Sequence, residues 1–577
     1  MRLPRTRTAR TWKANGARAS WIATGLVMVI AATLYRATVH PGVGPYLDSV
    51  EYQITTLVLG ISHPPGYPLF TGLGRLFVAL LPVGNAAYRL NVFCAVCAVV
   101  TVALVQRITY RLTRRPLLSV FGALSLAVAV RFWYQASYTE LYPLNGVFIA
   151  ATTLVLVIWM ETRRPIFYFL GVALYALNFG VNVPAIVLLP MWLWAAGSTD
   201  HHMLTRPRNL VLTALIVLLA ASQYLYVPLR AFQRPPFCNY CPENWSQVPD
   251  FLLGREWWGI AFGVQPRYYL QRWADSGYQL MLQFWPVGVL LGGIGLWHLL
   301  REQTRRGVLF LLGLAGEWIF VVTYDVVDWA DFMHPIYILY APLIAVGLGA
   351  VWDWLSERTA LSSAPRRPAT MTAISRGIGR LPGLRRLAPA VARASQHGWR
   401  RVVARGLILG LAILGVVGLL VATGINNYPL VDQSENTAWH AWARDLLDRM
   451  EPGAWVLTPP TPTDGFIQTW ALRFVSWSEN RVPDMSIVYL PGLNPPGPPP
   501  GYLRWEEAAP HLSEHPLYVV ELDDERLEDY ALLPIKRDDG WVIGYRVVGE
   551  RTPEGEVIPW VGSEEWQDIQ EEIIPFP

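Results

Sequence analysis

Eleven segments of this chain are apolar and long enough to cross a lipid bilayer, and they constrain its fold more than any other feature. A spanning helix needs about 20 apolar residues. Only 16% of the 577 residues are charged and 53% are hydrophobic. This composition excludes a disordered chain, a collagen and a disulfide scaffold, and it predicts a mainly α, polytopic membrane helix bundle. The predicted spans are 20–38, 86–106, 117–131, 143–160, 166–180, 183–197, 209–228, 278–300, 308–324, 335–352 and 406–424.

Arginine positions assign the loops between these spans to two sides of the membrane. Basic residues accumulate in cytoplasmic loops. With eleven spans, every basic segment falls on one side: 1–19, 107–115, 163–164, 206–208, 301–306 and 357–405. The segments predicted to lie outside are then 39–85, 132–142, 229–277, 325–334 and 425–577. We therefore expect a multi-pass integral protein of a bacterial plasma membrane, with its N-terminus inside and its C-terminal tail extracytoplasmic.

The tail differs from the rest of the chain in charge. Residues 425–577 hold 10 Lys and Arg against 27 Asp and Glu, a net charge of −17, whereas the remainder carries +21. The tail is predicted to be a small soluble α/β domain with a parallel sheet, because helical and strand patterns alternate. Its predicted helices are 435–450 and 464–477, and its strands are 454–458, 485–490 and 517–522. A polyproline spacer covers 495–500.

Three domains follow from these patterns. Residues 1–19 form a basic cytoplasmic N-terminus, 20–424 a transmembrane domain, and 425–577 the soluble domain. The Arg-rich loop 357–405 lies within the transmembrane domain and is predicted to be a cytoplasmic loop that lies against lipid headgroups. Nucleic acid is not an expected partner, because this loop lacks the interleaved aromatic residues and the fold that nucleic-acid binding requires.

The first predicted external loop, 39–85, carries the richest set of reactive side chains. Asp48 and Glu51 are three residues apart and share a face if they lie on a helix. Such a carboxylate pair serves as a general base or binds a divalent cation, and the alternative is a helix-capping Asp in a solvated loop. Shortly after comes the rigid run His63-Pro64-Pro65-Gly66-Tyr67-Pro68. The apolar stretch 64–82 that contains it is predicted to be re-entrant or interfacial.

Two further groups of charged side chains lie at predicted membrane boundaries. Asp325, Asp328, Asp331 and His334 follow one another at the outer end of a span, where carboxylates are costly unless they have a function. Arg230 and Arg255 lie on the outer side, against the bias that keeps arginine inside. Arginine can clamp the phosphate of a lipid-linked substrate. The alternatives are an interfacial loop for the first group, and ion pairs or snorkelling for the two arginines.

Four cysteines form two C-x-x-C pairs. Cys94 and Cys97 lie in a predicted span and are assigned to packing. Cys238 and Cys241 lie in a predicted external loop, where a local disulfide is an option, and we expect them to be dispensable for the chemistry. A four-cysteine zinc site is not expected, because one pair lies inside the bilayer. A divalent cation at Asp48 and Glu51 is the only metal that the sequence suggests.

Several blocks of the chain resemble a family of polytopic membrane proteins within the GT-C glycosyltransferases, a group that includes the eukaryotic transmembrane protein O-mannosyltransferases. Asp48-Ser49-Val50-Glu51 is similar to the family's D-S-G-E, and His63–Leu69 to its H-P-P-G-Y-P-L. The run from Gly84 through Arg89 to Asn91 resembles the G-N-x-A-Y-R-x-N block, and further similar stretches lie at 226–231 and 331–337. Val50 departs from the pattern, because the family has glycine there.

The resemblance implies a GT-C-type bundle whose active site lies at the outer face. It implies an inverting hexosyltransferase that takes a sugar, mannose, from a polyprenyl-phosphate carrier and transfers it to a Ser or Thr hydroxyl of a protein, or to a glycan. Asp48 takes the role of catalytic base, with Glu51 beside it. The expected substrate-binding residues are His63, Tyr67, Arg89, Arg230, Arg255, Asp331 and His334. The alternative reading of the bundle is a transporter or lipid flippase, and a non-catalytic scaffold is the third.

Overall fold

The computed structural model is a bundle of long helices with a mixed sheet domain at the C-terminal end of the chain. It describes residues 7–44, 46–239, 241–361, 414–415, 417–458, 464–490, 502–520, 522 and 525–574. Most of the Arg-rich loop 357–405 and the polyproline stretch 495–500 lie outside these residues.

Seven helices are long and apolar enough to span a membrane, and an eighth span results if a bent pair of helices is counted as one. The two helices of this pair, Pro116–Ala127 and Val130–Ala136, meet at 69°. A multi-pass membrane bundle is therefore confirmed. The seven helices are Arg18–Thr38, Ala86–Thr113, Tyr142–Thr162, Pro207–Ala231, Pro266–Glu302, Thr304–Thr323 and Asp331–Glu357.

The predicted count of eleven spans is not confirmed, because two of the predicted segments form shorter helices and part of a third, 406–424, lies outside the described residues. Residues 166–180 correspond to the helix Pro165–Asn178, and 183–197 to a 3₁₀ turn, Val183–Leu188, followed by the helix Leu189–Asp200. Of segment 406–424, the apolar helix Val417–Val431 contains the described part. A proline stands in the first turn at Pro165, Pro184 and Pro190, where its missing N–H costs no hydrogen bond. These prolines divide the region into short elements.

Glycines allow two of the longest helices to pack closely. A Cβ atom added at Gly295 would lie 1.9 Å from the carbonyl oxygen of Leu343, and one added at Gly347 would lie 1.9 Å from that of Leu291. The helices Tyr269–Glu302 and His334–Leu361 are therefore in backbone contact at this crossing. Small residues at helix contacts are typical of membrane bundles, where close packing replaces the hydrophobic effect as the source of association.

Loop 39–85 is ordered and contains two helices, α2 (Leu47–Val58) and α3 (Pro68–Leu80). The start of the loop is fixed by a buried amide network. Asn91 donates to the carbonyl oxygens of His40 and Gly42, and Gln53 of α2 donates to the Asn91 side chain at 3.1 Å. The network connects α2 to the helix Ala86–Thr113. It holds the segment that carries Asp48 and Glu51 against the bundle.

The C-terminal sheet has seven strands in the order β3-β2-β1-β4-β6-β5, with β7 beside β6. The first four strands pair in parallel: β1 (Trp455–Thr458), β2 (Ser486–Tyr489), β3 (Tyr502–Arg504) and β4 (Leu517–Val519). The last three pair antiparallel: β5 (Tyr530–Lys536), β6 (Val542–Arg551) and β7 (Val557–Pro559). Two helices, Ala438–Leu447 and Asp464–Glu479, accompany the parallel half.

The predicted α/β domain is confirmed as a sheet-containing region, but the prediction of a parallel sheet holds for one half only. The missed feature is the turn between β5 and β6, in which Asp539 precedes Gly540. Gly540 has a φ of +88°, and Arg537 and Trp541 are joined by a backbone hydrogen bond of 2.8 Å. An Asp-Gly pair between apolar runs favours a hairpin. This hairpin adds antiparallel strands to the parallel half.

The sheet domain shares a hydrophobic core with α2. Val50 and Ile54 of α2 are fully buried against the helix Asp464–Glu479, whose Ala471 and Val475 belong to the same cluster. Phe237 joins this core and packs its ring on Trp470 at 5.1 Å. Val50, which stands where the related pattern has glycine, therefore contributes apolar area to the contact between α2 and the sheet domain.

Candidate active site

A cavity of about 420 Å³ lies at the end of the bundle that carries α2. Its walls come from α2, the turn before α3, the segment around residue 140, the 3₁₀ turn Val183–Leu188 and two loops near residues 257 and 328. One side is polar and the other apolar. The polar side is formed by Asp48, His63, Tyr67, Glu140, Asp328 and Asp331, and the apolar side includes Val183, Ile186, Val187, Phe262, Phe320, Val326 and Phe332.

Asp48, Glu51 and His63 meet at the polar wall, as the sequence predicts for the two carboxylates. One carboxylate oxygen of Asp48, one of Glu51 and one ring nitrogen of His63 all lie within 4.8 Å of one another. Glu51 is buried, and its two oxygens accept hydrogen bonds from the backbone N–H and the Nδ1 of His63, each 2.6 Å long. Tyr67 contacts the other ring nitrogen of His63 at 2.9 Å. Three of the four side chains therefore form a chain of hydrogen bonds beside Asp48.

The electrostatics of this wall favour an ion pair at neutral pH. Burial raises the pKa of Asp48 to about 6, and the Glu51 and Asp328 carboxylates add to the rise while His63 opposes it. Burial acts to lower the pKa of His63, but the charges of Glu51 and Asp48 raise it to about 9. Between these two values the imidazole is protonated and Asp48 is ionised. Asp48 is then a carboxylate near the pKa that suits a general base.

Glu140 is a lining residue that the sequence analysis missed. Burial raises the pKa of its carboxyl well above the usual range, and Asp48 and Asp331 act in the same direction. A raised pKa favours the protonated carboxyl, and in that form Glu140 can donate a hydrogen bond to a substrate oxygen. Its signal in the sequence is a lone acidic residue in a short, otherwise uncharged stretch, Gln135–Asn145, which becomes informative only once the walls of the cavity are known.

Asp331, predicted as a substrate-binding residue, lines the cavity and is paired with Arg131. The Arg131 guanidinium bonds to the Asp331 carboxylate, which also accepts a 2.9 Å hydrogen bond from Gln135. Arg131 is the second residue that sequence reasoning missed. Asp328 lies nearby, and burial, with Asp331 next, raises its pKa. Among the lining residues that the structure describes, none is a lysine or an arginine.

Five predicted site residues lie outside the cavity lining: Glu51, which bonds to the lining residue His63, and four residues that have other contacts. Arg89 donates to the carbonyl oxygens of Val78, Val83 and Gly84, near the end of α3. Arg230 donates to those of Val58 and Leu59. Arg255 pairs with Asp250 at 2.9 Å. His334 is fully buried and stacked on Phe132, with no hydrogen-bond partner at either ring nitrogen among the described residues.

The same three side chains, Asp48, Glu51 and His63, are the donors that a divalent cation would use. Their hydrogen bonds do not fit such a role. Both oxygens of Glu51 are engaged by His63, and one of them also accepts from Asn239 at 2.9 Å. Both ring nitrogens of His63 are engaged by Glu51 and Tyr67. The protonated imidazole supplies a positive charge between the two carboxylates, where a metal would otherwise be needed.

The first part of the chain is similar to a known family. Residues 48–205 match the family profile of the protein O-mannosyl-transferase TMEM260 N-terminal domain, a range that includes Asp48, Glu51, His63, Tyr67 and Glu140. Protein O-mannosyl-transferase TMEM260 of Mus musculus is 30% identical over 142 residues, which cover 24% of this chain and 19% of the mouse protein. The Dictyostelium discoideum protein of the same name is 26% identical over 127 residues, or 15% of its length. The chain thus spans less than a fifth of either relative.

Solved structures resemble the chain over nearly its whole length. ArnT from Cupriavidus metallidurans, bound to undecaprenyl phosphate, superposes with a TM-score of 0.58 at 13% identity, and the match covers 93% of this chain and 98% of ArnT. The apo form of ArnT gives 0.59 at 14% identity. At these identities the likeness establishes the fold. The chain therefore has the GT-C-type membrane fold that the sequence resemblance implies, with a region at 48–205 that is similar to the N-terminal domain of the TMEM260 protein O-mannosyl-transferases.

Proposed function

We propose that this protein is an inverting glycosyltransferase that moves a hexose, mannose, from a polyprenyl-phosphate carrier to a Ser or Thr hydroxyl of a protein. The observation that carries the proposal is the grouping of Asp48, Glu51 and His63 at the polar wall of a large cavity. The similarity of residues 48–205 to an O-mannosyl-transferase domain supports the sugar and the acceptor. A glycan hydroxyl is an acceptor of the same chemistry.

Asp48 is proposed as the base. It accepts the proton of the acceptor hydroxyl while that oxygen forms a bond to the anomeric carbon. The bond between this carbon and the phosphate oxygen breaks, and the carrier phosphate leaves with the electron pair, so the anomeric configuration inverts. His63 keeps Asp48 ionised, since the imidazolium stabilises the carboxylate, and Glu51 holds His63 in place through two hydrogen bonds. A base positioned in this way contributes roughly 10²–10⁴-fold to the rate.

The two sides of the cavity suit the two parts of a lipid-linked sugar. The apolar side, around Val187 and Phe320, suits isoprene units, and the polar side, with Glu140, suits sugar hydroxyls. Arg272 is proposed as a phosphate contact. Its guanidinium lies over Trp329 at 4.6 Å, next to the Asp328–Asp331 turn, and it has no ion pair among the described residues. Arg230 and Arg255 are engaged elsewhere and are less suited to this role.

The assay that tests the proposal uses the purified full chain in detergent or vesicles. Polyprenyl-phosphate mannose and a Ser/Thr peptide are supplied, and glycopeptide is measured by mass spectrometry. Wild-type protein is expected to form a mannosylated peptide, and Asp48→Asn protein is not. Polyprenyl-phosphate glucose serves as the comparison donor. Transfer of glucose in preference to mannose would overturn the choice of sugar, and no transfer from any polyprenyl-phosphate hexose would overturn the reaction class.

We also propose that the cavity and the sheet domain face the extracytoplasmic side of a bacterial plasma membrane. The arginine-rich loops support this orientation, because the predicted spans place them on the side of the membrane opposite to loop 39–85 and the tail, and such loops are typically cytoplasmic. A reporter fused after Pro577 that is active only outside the cytoplasm is the expected result. Activity confined to the cytoplasm would contradict the orientation and leave the site chemistry intact. The two relatives reported above come from eukaryotes.

Transfer is expected to be insensitive to removal of divalent cations. The reason is that Glu51 and His63 already satisfy each other and that His63 carries the positive charge at this wall. The measurement is the initial rate after dialysis against EDTA, with and without added Mg²⁺ or Mn²⁺. A loss of rate that either ion restores would contradict the expectation and assign a cation to Asp48 and Glu51.

A further inference from the structure

We infer that Asn239 is a positioning residue for the candidate active site and that the Cys238–Cys241 disulfide turn holds it there. The inference rests on the proposed transferase function. Among the described residues, the Asn239 side chain bonds to Glu51 and to no side chain that lines the cavity. Any effect of Asn239 on the cavity therefore passes through Glu51. Its amide Nδ2 donates a 2.9 Å hydrogen bond to Oε1 of Glu51, the oxygen that also accepts the backbone N–H of His63.

The backbone around Asn239 is fixed to the chain that leads into His63. The N–H of Ile61 donates to the carbonyl oxygen of Phe237, and the N–H of Asn239 donates to that of Ile61, at 3.1 and 2.9 Å. Ile61 and Cys238 form a parallel β-bridge. Gly60 allows this approach, because a Cβ atom there would lie 2.4 Å from the carbonyl oxygen of Phe237. The disulfide Cys238–Cys241 closes the turn that carries Asn239.

The segment that precedes this turn also bonds to the chain between α2 and His63. Tyr226 donates its hydroxyl proton to the carbonyl oxygen of Gly60 at 2.7 Å, and Arg230 donates to those of Leu59 and Val58. These hydrogen bonds hold the stretch 58–61, which joins α2 to His63, against Tyr226, Arg230, Phe237 and Asn239. We call these four residues the clasp residues. Among the clasp residues, Asn239 is the one whose side chain bonds to Glu51, the carboxylate that holds His63 at the polar wall.

The chemistry of this bond explains why an amide stands here. The Glu51 carboxylate holds His63 through two hydrogen bonds, and the bond from Asn239 fixes that same carboxylate. An amide supplies the donor without adding a charge. If the bond is lost, Glu51 holds His63 less firmly, and Asp48 loses part of the positive charge that keeps its pKa down. The rate should then fall most on the acid side of the pH profile.

This inference changes the expectation for the cysteines. The spacing alone suggests that Cys238 and Cys241 are dispensable, since they carry no reacting group. We infer that the turn closed by these cysteines holds Asn239 in the position from which it bonds to Glu51. We therefore expect Cys238→Ser/Cys241→Ser protein to fold and bind donor but to transfer sugar more slowly, with the same shift of the pH profile as a change at Asn239.

The test is a double-mutant cycle in the full-length protein. Asn239→Ala is expected to lower kcat about tenfold, which is the loss of one hydrogen bond to a charged group. The donor KM should stay near its wild-type value, and the acid limb of the pH–rate profile should move to higher pH. In a Glu51→Gln background, the same Asn239→Ala change should have almost no further effect. Asn244→Ala is the matched control, because among the described residues the Asn244 side chain bonds to its own turn, at Ser246 and Gln247, and not to Glu51.

The outcomes separate this inference from the proposed function. Absence of transfer by the wild-type chain would count against the function and is measured first. With an active wild type, an unchanged kcat for Asn239→Ala, or an equal loss in both backgrounds, would overturn the positioning role. Wild-type rates in the double serine variant would overturn the part assigned to the disulfide turn. Thermal unfolding of each variant shows whether a loss of rate reflects a loss of fold.

Discussion

Asp48→Asn protein is expected to transfer sugar about 10²–10⁴-fold more slowly than wild type, while its affinity for the polyprenyl-phosphate donor stays nearly the same. Asparagine keeps the shape of the side chain but cannot accept the proton of the acceptor hydroxyl. Asp48 also lies in the first turn of α2, where asparagine is tolerated, so the helix should persist. The measurement combines single-turnover transfer with donor binding on the same preparation.

Two comparison variants sharpen this result. Asp325→Asn removes a carboxylate from the same end of the bundle, but Asp325 is exposed and is not among the lining residues, so its rate should match wild type. Glu51→Gln should cost less than Asp48→Asn, because Glu51 acts through His63. Near-wild-type transfer by Asp48→Asn would reject Asp48 as the base and turn attention to Asp328 and Asp331.

His63→Gln protein is expected to lose roughly 10–100-fold in rate at pH 7 and to recover part of that loss at higher pH. His63 lowers the pKa of Asp48, which burial raises to about 6. Without the imidazolium this pKa rises, so a larger share of Asp48 is protonated at pH 7 and cannot act as a base. Raising the pH ionises Asp48 again, although its orientation by Glu51 and Tyr67 stays lost.

The wild-type profile provides the reference for this experiment. The wild-type rate should rise through about pH 6 as Asp48 ionises. His511→Gln is the matched control, since His511 is an exposed residue of the sheet domain that bonds only to Glu514. An acid limb at the same pH in His63→Gln and wild type would show that His63 does not set the ionisation of Asp48.

The sequence contains enough information to predict the local part of this site. Asp48 and Glu51 are one helical turn apart, and the rigid run that begins at His63 follows within the same loop, so helical spacing alone predicts that the carboxylates share a face. The remaining walls come from residues 140, 257 and 328, far apart in the chain. No periodicity in the sequence links Glu140 to Asp48. Their proximity depends on how the helices pack, which a local pattern does not specify.

Four of the predicted site residues, Arg89, Arg230, Arg255 and His334, lie outside the cavity lining for a related reason. Arginine 230 stands at a predicted outer surface, where a phosphate ligand is a reasonable expectation from charge alone. The structure instead gives it backbone carbonyl partners at the end of α2, where a cation is favoured by the helix dipole. A charge pattern indicates that a partner is needed. Whether that partner is a ligand or a carbonyl oxygen depends on tertiary contacts that are not visible in the sequence.

The core that α2 shares with the sheet domain helps to position Asp48, the proposed base, in addition to the contacts between α2 and the membrane bundle. Asp48 and Tyr52 of the helix line the cavity, whereas Val50 and Ile54 are part of the interior of the C-terminal region. The contacts that support Asp48 therefore come from both sides of residue 425, where the charge balance of the chain changes. Substitutions inside the helix Asp464–Glu479 are therefore expected to move the Asp48 carboxylate and to slow transfer without changing any lining side chain.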